Sequence, residues 1–195
     1  MKTHISRTVS SCFGILRQIR SISRSVSQQT LQSLVVSLVL SRLDYGNATL
    51  AGVASNQLDR LQSVTNAAAR LVCSARKCDH ITPLLHDLHW LRVPQRIEFK
   101  LAVLAFCCLH GMAPPYLARE LRRVADMDSR RRLRSASTFE LNIPPTRCVT
   151  VGDRAFRVAA ARVRNSLPSN VSASPSLSVF KRPMKTSLFS RSFDI

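Results

Sequence analysis

The chain has 195 residues with 45% hydrophobic content, enough to bury one real core. Its 29 Lys and Arg against 11 Asp and Glu leave a net charge of +18, a field that favours polyanions, by counterion release from nucleic acid or by attraction to acidic membrane surfaces. No apolar run reaches the roughly 20 residues that cross a bilayer; the longest, Leu101 to Leu109, has nine, which excludes a membrane-spanning helix as the basis of function.

In chain order, Val9, Cys12, Phe13, Leu16 and Ile19 recur at intervals of three and four, the period of one helical face. Leu31, Leu34, Val35, Leu38 and Val39 repeat it. This second helix starts after Ser27 and stops at Tyr45-Gly46-Asn47, where Gly46 suits the left-handed cap conformation. The short serine-rich turn between the two predicts antiparallel packing. Asn56 is expected to cap the next helix, with Asp59 in its first turn, and the stripe is Leu58, Leu61, Val64, Ala68 and Leu71. Asp79 or Thr82 is expected to cap a short helix starting at Pro83. Pro94 fits the first position of a long helix, and Gly111 with Pro114-Pro115 fits its stop. Between them run Ile97, Leu101, Leu104 and Cys108, and Trp90 with Leu91 is expected to plug the bundle end.

A helix from Pro115 to Val124 then leads into an exposed basic loop. Prolines and β-branched residues from Asn142 to Thr150 predict extended chain or a short hairpin carrying Val149 and Val151. Asp153 is expected to cap a helix with the stripe Phe156, Ala160, Val163 and Leu167. A last helix, opened by Pro175, carries Leu177, Phe180, Met184 and Leu188, and Pro183 should kink it. The expectation is a mainly α protein. It comprises a helical bundle over residues 1–124, a basic loop over 125–141 and a small proline-punctuated helical unit with a short extended segment over 142–195.

Arg outnumbers Lys 24 to 5, and the guanidinium fork suits bidentate phosphate contact and stacking on bases. Selection for holding nucleic acid and the base composition of the coding DNA are both open as origins of that excess. The candidate nucleic-acid-binding residues are Arg119, Arg122, Arg123, Arg130, Arg131, Arg132 and Arg134, seven arginines diluted by three acids. The same segment also reads as a connector or a nuclear-import patch, and these roles are compatible.

Other chemistry finds less support. The six cysteines have no disulfide-scaffold spacing, so a reducing compartment is the default. Cys73, Cys78, His80 and His86 lack the tight knuckle spacing of structural zinc, and no metal or other cofactor is assigned. Cys107 and Cys108 lie in an apolar run and read as core. His86-Asp87 suggests a base and its orienter, but no nucleophile elbow accompanies it, and no catalytic residue is assigned. Residues 1–43 contain no acid among many Arg and Ser, the composition of a mitochondrial transit peptide.

Several short words stand in a recognisable order: Asp44-Tyr-Gly-Asn47, Leu58-Asp-Arg-Leu61-Gln62, Asn66-Ala-Ala-Ala-Arg70-Leu71, Asp79-His-Ile-Thr-Pro83, Leu88-His-Trp-Leu91 and Gln95-Arg-Ile-Glu-Phe-Lys100. Gly152-Asp-Arg-Ala-Phe156, Asn165-Ser-Leu-Pro168 and Ser174-Pro-Ser-Leu177 follow. Together they resemble the C-terminal segment of reverse transcriptases of non-LTR retrotransposons, the LINE elements of the jockey and chicken-repeat type, from about Phe13 to Phe189. One departure is Arg164, where the family usually has tryptophan before Asn-Ser-Leu-Pro. Phe13 to Ile22 resembles an internal helix of that family, which gives the Arg and Ser pattern a second explanation.

The resemblance implies a region after the polymerase thumb that grips template RNA or target DNA through backbone phosphates without reading sequence, in contact with a separate polymerase core. It also implies a nuclear or cytoplasmic place, with mitochondria the lesser alternative. Polymerase chemistry needs paired aspartates on two metals; no Tyr-x-Asp-Asp occurs in this sequence, so the chain is expected not to be an enzyme. Two other classes are a protein-interaction or mitochondrial module derived from such an element, and a remnant without function.

Overall fold

A computed structural model describes residues 1–127 and 140–193. The protein is mainly α-helical, as the periodicities imply, and two compact units emerge from its contacts. They do not follow chain order. The first holds residues 1–47, 53–96 and 189–195, and the second 48–52 and 97–188, so the expected boundaries near 124 and 141 both fall within the second.

In the first unit, α1 (Lys2–Ile22) buries Ile5, Val9, Cys12, Leu16 and Ile19 along one face. Its main neighbour is α4 (Ser55–Val72), which buries Leu61, Val64, Thr65, Ala68, Ala69 and Val72. Ala68 and Ala69 keep the buried face of α4 narrow at that point. Leu58 and Leu71, expected in the stripe, are only half-buried, and Val72 takes the last position. The expected Asn56 cap is not formed. Ala54 stands before α4 instead, its extended backbone setting the entry and its carbonyl accepting from the Leu58 amide at 3.4 Å.

The second helix opens as expected, Ser27 Oγ accepting from the Thr30 amide at 3.2 Å. It comprises α2 (Gln28–Val35), a π turn over Val36–Leu40 and α3 (Ser41–Asp44). In the π turn the Ser41 amide bonds the Val36 carbonyl, five residues back, which inserts one residue into the period. The inward face therefore slips. Leu38, expected in the core, is 47% exposed, and Leu40 is buried in its place. The hydroxyls of Ser33, Ser37 and Ser41 each bond the carbonyl four residues earlier, a contact that bends helices. Gly46 closes the segment at φ +68, in the left-handed region.

Helix α5 (Ile81–Asp87) begins before Pro83, so that proline occupies the first turn, where its missing amide has no partner to lose. Asp79 does not cap it because its carboxylate accepts from the Arg76 amide at 2.6 Å. Helix α6 (Val93–Leu109) places Pro94 second rather than first. Gln62 supplies what its start needs. Its Oε1 accepts from the Val93 amide at 2.9 Å, while its Nε2 donates to Asn66 Oδ1 at 2.8 Å. Nearby, Arg96 grips the Asp44 carboxylate with two donors, Nε at 2.9 Å and Nη2, and Asn47 also donates to Asp44. Trp90 and Leu91 are buried, 6% and 5% exposed.

In the second unit, Phe106 of α6 stacks on Phe180 of α11 (Leu177–Phe193) at 4.6 Å between ring centroids. Met184 and Leu188 of α11, with Val158 to Ala161 of α9 (Phe156–Asn165), complete the core. From Ala102 to Leu109 no residue of α6 is exposed, consistent with its nearly continuous apolar sequence. Helix α11 runs through Pro183 without a break.

Replacing Gln62 with Leu leaves the Val93 amide without its acceptor, at a cost of about 1–3 kcal/mol. Urea unfolding followed by circular dichroism should show that loss; an unchanged midpoint contradicts the assigned role.

Candidate nucleic-acid interface

The helix expected over residues 115–124 is short: α7 covers Pro115–Ala118 and ends in turns at Glu120 and Leu121. What stops it lies far along the chain. The Val124 amide donates to the Glu140 carbonyl at 2.9 Å and the Asn142 amide to the Arg122 carbonyl at 2.8 Å, an antiparallel bridge between Arg123 and Leu141. Arg123 thereby takes extended backbone, and Leu121 and Val124 are buried on either side of it. Local sequence favours a helix at 119–124; pairing with residues 140–142 overrides it.

Asn165 pins the other edge of that bridge. Its Oδ1 accepts from the Leu141 amide and its Nδ2 donates to the Leu141 carbonyl, both at 2.9 Å, so one amide side chain does the work of a neighbouring strand. Leu141 is 2% exposed, so its backbone groups need those partners. The asparagine of the Asn-Ser-Leu-Pro word is thus structural, a role that its sequence alone does not reveal.

The seven candidate arginines divide. Arg119 and Arg122 are exposed, as phosphate contact requires, and Arg123 is half-buried. Arg130, Arg131, Arg132 and Arg134 lie outside the described residues, as does most of the expected basic loop. Arg123 lines a cavity of about 650 Å³ together with Arg164, which the sequence marked only as a departure from tryptophan. Arg164 donates from Nη1 to Ser172 Oγ and from Nη2 to the Ser172 carbonyl at 3.2 Å, tying α9 to α10 (Ser169–Ser172). Burial, and then the neighbouring Arg123 cation, lower its pKa from the ordinary guanidinium value.

Further along, in the segment expected as extended chain or a short hairpin, residues 142–148 are non-helical, but Val149 and Val151 fall in α8 (Val149–Gly152), with Val151 71% exposed. Asp153 does not cap α9. Hydrogen bonds from Arg162 and Thr146, each 2.9 Å, draw its carboxylate away and hold its pKa below the usual range. Ala155, in extended backbone, precedes α9. The α9 stripe also shifts, to Val158, Ala159, Ala160 and Ala161, leaving Phe156, Val163 and Leu167 half-buried. A Cβ at Gly152 would stand 2.6 Å from Thr146 Cβ, so only glycine lets Thr146 reach Asp153.

The residues weighed for metal or hydrolytic chemistry lie in the first unit. Cys73 is half-buried at the end of α4, and burial, then the Asp87 carboxylate, raise its thiol pKa. Cys78 is exposed, 3.9 Å from Asp79 Oδ1. His86 packs against Phe189 and Phe193, with centroids at 5.3 and 5.7 Å, and its Nδ1 stands 3.5 Å from Asp87. Among the described residues no three His, Cys, Asp or Glu side chains converge as a cation site, and no helix is long and apolar enough to cross a membrane.

Asn165→Ala should remove both Leu141 bonds and speed hydrogen exchange at the Leu141 amide by roughly tenfold or more; exchange at the wild-type rate contradicts the clamp. Comparison with protein-family models, curated proteins and solved structures finds no match to this chain.

Proposed function

We propose that the chain is a non-catalytic C-terminal segment of a LINE-type RNA-directed DNA polymerase, and that it holds RNA or DNA through backbone phosphates without reading sequence. The observation that carries this reading is the use made of the few acids. Asp44 is engaged by Arg96 and Asn47, Asp79 by the Arg76 amide, and Asp153 by Arg162 and Thr146. Even one-to-one pairing of all 11 acids leaves 18 cations without an acid. Exposed arginines without counter-charge are the groups that displace condensed counterions from a polyanion.

The order of the retrotransposon words supports the family reading, and the lack of a Tyr-x-Asp-Asp word in this sequence supports a non-catalytic role beside a separate polymerase core. A nuclear or cytoplasmic place accompanies it. Ile5, Val9, Cys12, Leu16 and Ile19 of α1 are buried, which favours an internal helix over a removable mitochondrial leader.

Replacing Arg122, Arg130, Arg131, Arg132 and Arg134 with Ala tests the assignment. Each phosphate contact contributes about 0.7 to the log–log salt slope on single strands, so removing five should lower the slope of RNA binding by roughly 3.5. A slope equal to that of the wild type overturns it.

A further inference from the structure

Arg123 and Arg164 are two cations on the wall of one cavity, an arrangement that repels itself unless an anion lies between. Of the five N–H donors of Arg164, Ser172 takes two. Among the described residues no hydrogen bond or ion pair holds the Arg123 guanidinium, although Glu140 lines the same cavity. The bridge to residues 140–142 and the Asn165 clamp fix the backbone from which the Arg123 side chain extends.

The remaining wall is of another kind. Leu109 and Leu167 are apolar, and the His110 ring lies stacked on buried Phe106, with centroids 3.8 Å apart. Its Nδ1 is 2.9 Å from the Phe106 carbonyl, and a carbonyl only accepts, so Nδ1 carries the proton and Nε2 keeps its lone pair in the neutral ring. A volume of about 650 Å³ far exceeds an inorganic phosphate and lies in the range of small-molecule sites.

From these features we infer that the cavity of the second unit binds a nucleotide, with its phosphate between Arg123 and Arg164 and its flat base along the apolar and imidazole wall. The ligand is either a free mononucleotide or the phosphorylated end of a strand. The inference does not depend on the polyanion reading. A cavity of this size saturates with one small ligand, whereas an exposed arginine surface does not.

Calorimetric titration of the full chain with AMP at about 0.15 M salt, where exposed charges are largely screened, tests it. The wild type should bind one AMP. Arg123→Gln should bind it on the order of tenfold more weakly, as loss of a charge-assisted contact implies. Glu140→Gln keeps both arginines and the backbone bonds of residue 140, and should bind more tightly. Arg119→Gln, on exposed surface, and the five-arginine variant should bind AMP as the wild type does.

No AMP binding by folded wild type, or equal affinity in Arg123→Gln, overturns the site, and inorganic phosphate binding as tightly as AMP overturns the nucleotide assignment. Should Arg123→Gln fail to fold, the Glu140→Gln result decides, an unchanged affinity counting against the site. Displacement of AMP by an oligonucleotide with a 5′ phosphate, but not by its 5′ hydroxyl counterpart, identifies the strand end as the ligand; displacement by neither identifies the free nucleotide.

Discussion

Scarcity of negative charge is the constraint from which the rest follows. With 11 acids against 29 cations, each carboxylate at a structural joint has to be used on a specific partner. Asp44 joins the end of α3 to the start of α6 through Arg96, and Asp153 joins Thr146 to α9 through Arg162. Both meet guanidinium groups, whose fork makes directional bonds that a lysine would not. An acid so held does not cancel the charge of a neighbouring surface, and the surplus arginines keep their field.

Several polar side chains act on backbone more than on each other. Gln62 satisfies the first amide of α6, Asn165 satisfies both backbone groups of Leu141, and Asp79 satisfies the Arg76 amide. A helical chain leaves unpaired groups wherever a helix starts or an extended segment has no sheet. Those groups are costly when buried, which is a physical reason for placing such side chains beside them. They therefore describe how the fold closes. The cationic surface and the Arg123 guanidinium of the cavity are left as the parts with no internal task.

Much of this was legible in the sequence, where one period sufficed. The faces of α1 and α11, the Ser27 cap, the Gly46 stop and the burial of Trp90 follow from spacing and local chemistry. Where two features compete, the sequence is silent. A single inserted residue in the π turn moves Leu38 outward and Leu40 inward, and nothing in the run Val35 to Leu40 marks it. Side-chain caps are expected at Asn56, at Asp79 or Thr82, and at Asp153, but α4, α5 and α9 start from extended backbone at Ala54, His80 and Ala155. Arg123 and Arg164 are 41 positions apart in the chain, and only the bridge to Leu141 and the turn into α10 bring them to one cavity. Arg119 and Arg122 are exposed as expected, while four of the seven candidate arginines lie outside the described residues.

The central claim is that a compact helical scaffold presents uncompensated guanidinium groups to a polyanion. Fluorescence anisotropy with labelled single-stranded RNA of two unrelated sequences, from about 0.05 to 0.2 M salt, measures it most directly. The account predicts equal affinity for both sequences and a linear fall of log affinity with log salt. A folded, monomeric chain that leaves both strands unbound at the lowest salt would contradict it.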